Sequence, residues 1–312
     1  MDWYFIVLII IAAVIIITLL ISFICFKIVF YTKNEKTTSD EIILPNNKFY
    51  QTFKNEIIKD IQDARKLDYK LLSIESFDGL KLFGKYYEFN KDFPIEIMIH
   101  GYRGNSERDL STGIRRAKLC NHNVLLIDQR GSGLSEGHVI SFGINEYKDC
   151  LSWIKYCNLI FGNEQKIILT GISMGAATVL MTSNHDLPKN VIGILADCGF
   201  SSPKDIIKKV IKEMKLPTFI FYPFIFLGAR IYGRFNLHDC SPEESVKKAN
   251  KPILFIHGSD DSFVPSYMSE LMYQLCNSEK QLLIVDKADH GVAFLVNEEK
   301  YVKVVNKFFN DK

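Results

Sequence analysis

The sequence predicts an α/β fold: a mostly parallel, twisted sheet with helices on both faces, a helical lid insertion, and a single apolar helix in front. Three observations predict it. From Ile95 onward, short β-branched runs alternate with helical stretches, the pattern of strand-helix units that build parallel sheets. Within that pattern, the strand-like run Ile167–Thr170 leads into Gly171-Ile172-Ser173-Met174-Gly175 and then into the small-residue helical run Ala176 to Met181. At the front, Trp3 to Phe26 is apolar except for Thr18 and Ser22.

The apolar run comes first in the chain. At ~1.5 Å per residue it is long enough to cross a ~30 Å hydrocarbon core. A signal peptide carries basic residues before a shorter apolar segment, whereas only Asp2 precedes this one and no small-residue cleavage site follows. A soluble helix of such length has a polar face. Residues 1–30 are therefore expected to anchor the chain in a lipid bilayer. Lys27, Lys33 and Lys36 follow, against Glu35. The positive-inside rule then puts the remainder in the cytoplasm, at the cell membrane. Residues 31–45 read as a linker and residues 46–312 as one large domain.

Asn46 or Asn47 is placed to cap a helix reaching Leu67, with Phe49, Phe53, Ile57, Ile61 and Ala64 at helical spacing. Leu71–Phe77 and Leu80–Tyr87 flank Asp78-Gly79, a hairpin signal. Ser106 with Asp109 resembles a capping box for a helix to Cys120. The strands expected are Ile95–Ile99, Val124–Ile127, Ile167–Thr170, Val191–Ala196, Ile253–Ile256 and Leu282–Val285, with helices near 143–161, 174–185, 266–277 and 292–310. A long segment, about 203–251, interrupts the alternation. Lys204–Lys215 reads as helix, and Leu216 to Phe235 is crowded with aromatic rings. An insertion of this length beside the sheet's C-terminal edge reads as a lid, whose rings are expected to line an apolar acyl pocket.

Composition narrows the function. The net charge is +2 with no basic block, which excludes a nucleic-acid surface. The seven cysteines form no CxxC pair and no metal-ligand spacing. They read as reduced, buried thiols, with neither metal nor cofactor expected.

The chemistry centres on Ser173. A sharp strand-to-helix turn between two glycines would project its hydroxyl above the sheet, with the Met174 amide aimed at a developing oxyanion. Gly133-Leu134-Ser135-Glu136-Gly137 matches the same pattern, but no apolar helix starts directly after it, so it reads as a loop. A serine hydroxyl needs a base, and the base an orienting acid. Two later strand ends supply candidates: Asp260 and Asp261 after the strand at Ile253, and His290 after the strand at Leu282. Sites of open α/β sheets form at such ends. Asp197 also follows a strand and is the reserve acid. His100 and His257 read as loop-holding residues, and Cys198 as a buried thiol.

From about Leu71 onward the chain resembles the α/β-hydrolase superfamily, and within it the membrane-anchored bacterial hydrolases grouped with serine aminopeptidase-like and BEM46-like proteins. The segments that carry the resemblance are His100-Gly101-Tyr102-Arg103-Gly104-Asn105, Asp128-Gln129-Arg130-Gly131-Ser132-Gly133-Leu134-Ser135, Gly171-Ile172-Ser173-Met174-Gly175, His257 to Pro265, and Asp289-His290-Gly291. The resemblance implies a Ser173, Asp261, His290 triad. It implies oxyanion donors at the Tyr102 and Met174 amides, and a scaffold role for Asp128 and Arg130. The expected function is a membrane-anchored serine hydrolase acting on an acyl ester or thioester. A serine peptidase acting on short peptides is the alternative, and a non-catalytic binding protein on the same fold is the reading from another class. The sequence shows no pocket acid to anchor a peptide's amino terminus.

Overall fold

The computed structural model describes residues 3–33, 42–44, 46 and 48–309. Most of the expected linker, with Lys36 in it, lies outside the described residues, as do Asp2 and Asn47. Helix α1 (Trp3–Val29) is the one helix long and apolar enough to cross a membrane among the described residues. Helices α2 (Lys48–Thr52) and α3 (Lys54–Arg65) follow where one helix was expected; the break falls at Phe53.

Strands β1 (Lys70–Glu75) and β2 (Lys81–Tyr87) form the antiparallel hairpin that Asp78-Gly79 announced. Its loop is closed by the Ser76 amide on the Leu80 carbonyl, with Gly79 at φ +87°. Then come β3 (Ile95–Ile99), α4 (Ser106–Leu119), β4 (Asn123–Asp128), α5 (Glu146–Phe161), β5 (Ile167–Ile172), α6 (Met174–Thr182) and β6 (Val191–Asp197). The insertion supplies α7 (Pro203–Glu213), α8 (Thr218–Ile231) and the single turn α9 (Pro242–Ser245). The chain closes with β7 (Ile253–Gly258), α10 (Tyr267–Leu275), β8 (Lys280–Val285), α11 (Ala293–Val296) and α12 (Glu298–Phe309). The last two divide, at Asn297, the one helix expected over 292–310.

The eight strands form one sheet in the order β1-β2-β4-β3-β5-β6-β7-β8. Only the β1–β2 and β2–β4 pairings are antiparallel. β3, β4 and β7 are buried at every position, which accounts for their largely apolar sequences: covered on both faces, such strands lose the alternation of a half-exposed one; the buried Glu96 of β3 is paired with Arg116. One local expectation is corrected. Asn105, not Ser106, caps α4, its side-chain oxygen accepting from the Arg108 amide at 2.8 Å. The Ser106 amide instead donates to Asp128 Oδ1, so the aspartate of the glycine-rich loop holds the start of α4.

The insertion packs differently from expectation. α8 runs along the last turns of α1. A Cβ on Gly228 would come within 2.5 Å of the Ser22 carbonyl oxygen, so this contact demands a residue without a side chain. Phe23 and Phe26 meet Tyr232, and Phe30 meets Phe142 and Phe235. Many of the rings between 216 and 235 thus pack with the end of α1.

Candidate active site

Ser173 sits between β5 and α6 with φ +56° and ψ −118°, a left-handed backbone that costs a non-glycine residue energy. Two close approaches hold it there. A Cβ on Gly171 would lie 2.2 Å from the Gly175 carbonyl carbon, and one on Gly175 would lie 2.0 Å from the Ile99 carbonyl oxygen. The glycines are therefore required for space, so that the turn can close against β3. The Ser173 amide donates to the Asp197 carbonyl at 2.9 Å, fixing the turn on the neighbouring strand.

His290 lies on the loop after β8. Its Nε2 is 2.9 Å from Ser173 Oγ, and its Nδ1 is 2.7 Å from Asp261 Oδ2. The carboxylate can only accept, so the proton sits on Nδ1 and leaves Nε2 to accept from the serine hydroxyl. Asp261 Oδ1 accepts from the amides of Phe263 and Val264 at 2.9 and 2.7 Å. His257 Nε2 approaches Asp261 Oδ2 at 3.1 Å. Burial alone would raise the Asp261 carboxyl; hydrogen bonds from His257 and His290 outweigh it and hold the group well below the usual carboxylate range.

The loops after β7 and β8 are stitched together. The Asp260 amide donates to the Ala288 carbonyl, and Asp289 Oδ1 accepts from the Ser262 and His290 amides. His257 is a loop holder that also touches the acid, with Ser269 Oγ on its Nδ1. His100 is bonded through Nδ1 to the Gly101 carbonyl while its Nε2 accepts from the Gln129 amide. That arrangement suits a neutral ring, and burial lowers its pKa accordingly.

Asp197 is turned elsewhere. Its Oδ2 accepts from the Tyr301 hydroxyl at 2.8 Å, and burial raises its pKa. Cys198 Sγ, an Asp261 oxygen and a His290 nitrogen lie within 4.8 Å of one another, a spacing a metal could use. Burial pushes the Cys198 thiol well above its ordinary pKa, with Asp197 and Asp261 adding to the shift, so the thiolate that ligation needs is disfavoured.

Tyr102 follows β3 on the loop facing Ser173; a Cβ on Gly101 would lie 3.4 Å from Ser173 Cβ. No hydrogen bond among the described residues uses the Tyr102 or Met174 amide. The Tyr102 hydroxyl donates to the Val29 carbonyl at 2.6 Å, and Arg103, at φ +53°, donates to the Ile28 and Tyr31 carbonyls. The end of α1 thus grips the loop beside the serine. This link was not read from the sequence; Ser22, the polar break in the apolar run, marks where α1 becomes buried.

A cavity of about 320 Å³ opens over Ser173 and His290. Its lining is apolar at Ile57, Ile172, Phe263, Val292 and Leu295 and polar at Tyr50, Arg103, Arg108, Asp109 and Thr112. Among the described residues none of 216–235 lines it, which overturns the expected aromatic acyl pocket: Tyr232 and Phe235 pack against α1, Tyr222 and Phe226 lie against His238, and Phe219 is exposed. Asp109 supplies a cavity acid that the sequence reading missed. Its Oδ1 is already engaged by Arg108 Nε at 2.7 Å and the Tyr50 hydroxyl at 3.1 Å.

Residues 122–312 match the prolyl oligopeptidase family. The chain is 27% identical over 190 residues to the uncharacterized protein YqkD of Bacillus subtilis, covering 61% of this chain and 62% of that one. It is 27% identical over 192 residues to the protein bem46 of Schizosaccharomyces pombe, covering 60% and 58%. The matches thus span about six tenths of these relatives' lengths. In fold, the esterase Pf2001 of Pyrococcus furiosus superposes with a TM-score of 0.66 at 20% identity, covering 90% of this chain and 98% of the other. Matched over more than half its length and carrying this sheet, the chain belongs to the prolyl oligopeptidase family within the α/β-hydrolase superfamily.

Proposed function

We propose that the chain is a membrane-anchored serine hydrolase cleaving acyl esters or thioesters, with residues 1–30 as anchor and the domain from residue 46 facing the cytoplasm. The observation that carries the reading is the continuous hydrogen-bond chain Asp261–His290–Ser173 beside the cavity. Ser173 attacks the acyl carbonyl as His290 Nε2 takes its proton. Asp261 keeps the ring in the required tautomer and stabilises the imidazolium. The Tyr102 and Met174 amides hold the oxyanion. His290 then returns the proton to the leaving group, and water, activated by the same histidine, cleaves the acyl-enzyme.

The apolar lining residues suit an acyl chain, and Arg103 and Arg108 suit a polar leaving group. A second reading, serine peptidase, is favoured by the family match and by Asp109 in the cavity wall. The partial neutralisation of Asp109 by Arg108 argues for the ester. The test is hydrolysis by the full-length protein of esters graded by acyl length and of aminoacyl amides. Each buried methylene is worth ~0.8 kcal/mol. Specificity (kcat/KM) should therefore rise over the first few carbons and fall once the cavity is full. A clear preference for aminoacyl amides would overturn the ester reading in favour of the peptidase. Hydrolysis of neither would favour a binding protein.

A further inference from the structure

The geometry points to a second membrane contact: the turn that ends α8, Arg230-Ile231-Tyr232-Gly233-Arg234, rests on an anionic bilayer surface. The inference rests on the proposed role of α1 as anchor and is independent of the hydrolase reading. Helix α1 is exposed from Trp3 to Val14 and onward, and its own chain begins to cover it only at Thr18 and Leu19. That leaves the 15 residues Trp3–Ile17 in the open, roughly 22 Å at ~1.5 Å per residue, so a ~30 Å hydrocarbon core takes in about the next turn and a half as well, where Leu20 is still exposed. The bilayer surface therefore falls between Leu19 and Phe23.

What the protein places at that level is the end of α8. The Tyr232 hydroxyl donates to the Leu19 carbonyl at 3.0 Å, and its ring stacks edge-on against Phe23 with centroids 5.1 Å apart. Gly228 meets α1 further from the bilayer, at Ser22 and Phe26, so α8 descends toward the membrane as it ends. A tyrosine with its ring on an apolar helix and its hydroxyl on the backbone suits the headgroup layer. Ile231 beside it is 44% exposed, an apolar side chain with lipid as its natural cover. Arg230 and Arg234 are exposed on either side. They border one shallow depression with Asn236 and Asp239, whose carboxylate accepts from Asn236 at 2.8 Å. Neither arginine pairs with a carboxylate among the described residues. Two cations flanking an exposed isoleucine at the level where the anchor leaves the bilayer are complementary to lipid phosphates.

The full-length protein, reconstituted in vesicles of phosphatidylcholine with or without phosphatidylglycerol, tests this. Ile231→Cys, Ile10→Cys and Glu164→Cys would each be labelled with a fluorophore, against the unlabelled-site background of the native cysteines. Lipids carrying a nitroxide at the headgroup should quench the label at 231 strongly and that at 164 little. Arg230→Glu with Arg234→Glu should cut the quenching at 231 several-fold in vesicles containing phosphatidylglycerol. Chain-labelled lipids should quench the label at 10. Quenching at 231 no stronger than at 164, with 10 in lipid, overturns the contact alone. An aqueous label at 10 overturns the anchor as well. Quenching at 231 that ignores both lipid charge and the reversed arginines overturns the role given to phosphate.

Discussion

The chain contains the same pentapeptide pattern twice, and the two copies do different things. In Gly171-Ile172-Ser173-Met174-Gly175 the serine takes the strained left-handed backbone, and its glycines are needed because backbone from β3 and from the turn itself fills the space a side chain would occupy. In Gly133-Leu134-Ser135-Glu136-Gly137 the positions are reversed. There the glycines take the positive φ, +52° and +99°, and the serine is ordinary backbone. Ser135 Oγ donates to the Asp128 carbonyl at 2.5 Å and accepts from the Phe83 amide at 2.9 Å. It stitches β2 to the end of β4. One pattern thus yields a serine that lines the cavity and meets His290 where a strand turns straight into a helix, and a buried clamp where it turns into a loop.

The comparison can be broken by substitution. Ser173→Ala should lower ester hydrolysis on the order of 10³-fold or more, leaving what binding and the oxyanion amides supply. An intact far-ultraviolet dichroism spectrum would show the fold retained. Asp261→Asn should cost on the order of 10²–10⁴-fold, because it reverses the hydrogen bond that sets the His290 tautomer. Asp197→Asn should stay within about ten-fold on the same scale, since that carboxylate bonds Tyr301 instead; kcat/KM for the pair checks both. Gly175→Ala should destabilise the protein by about 3 kcal/mol or more, because the added methyl meets backbone that has no rotamer to escape into. Ser135→Ala should cost about 1–3 kcal/mol by orphaning the part-buried Phe83 amide and the Asp128 carbonyl. Its hydrolysis rate should be close to that of the parent. Denaturant unfolding in detergent measures both glycine and serine variants.

The smallest effect is one of pH. The Asp261 carboxyl is depressed in the folded state. Its contribution to stability is present above the ordinary carboxylate pKa of about 4 and is lost as pH falls toward the folded value. Asp261→Asn should therefore lose less stability on acidification below about pH 4 than the parent does. Melting curves across that range check it, and parallel slopes would contradict it.

Most of the fold was legible because covered strands and short connections leave strong local signals. β3 was bounded to the residue, and β5 to β8 were found with ends differing by two residues or fewer. The helix breaks at Phe53 and Asn297 were missed because apolar spacing runs straight through both. At the site, Ser173 and His290 could be singled out as candidates because each sits where a strand ends; strand position left Asp260 and Asp261 both open, and only the resemblance pointed to Asp261. The cavity wall was not. Tyr50, Arg108 and Asp109 come together only when α2 folds over the start of α4, a contact that local periodicity does not encode. The aromatic run 216–235 was read as pocket lining, although density of rings does not say what covers each of them: Phe219 is exposed. Gly228 lets α8 approach α1, and Tyr232 and Phe235 are covered there.

The central claim is that context, not pattern, selects Ser173 over Ser135. Fluorophosphonate labelling of the full-length protein, with the modified residue located by mass spectrometry, tests it most directly. The label is expected on Ser173 in the parent, absent from Ser173→Ala, and undiminished in Ser135→Ala. Labelling that persists in Ser173→Ala, or disappears in folded Ser135→Ala, would contradict it.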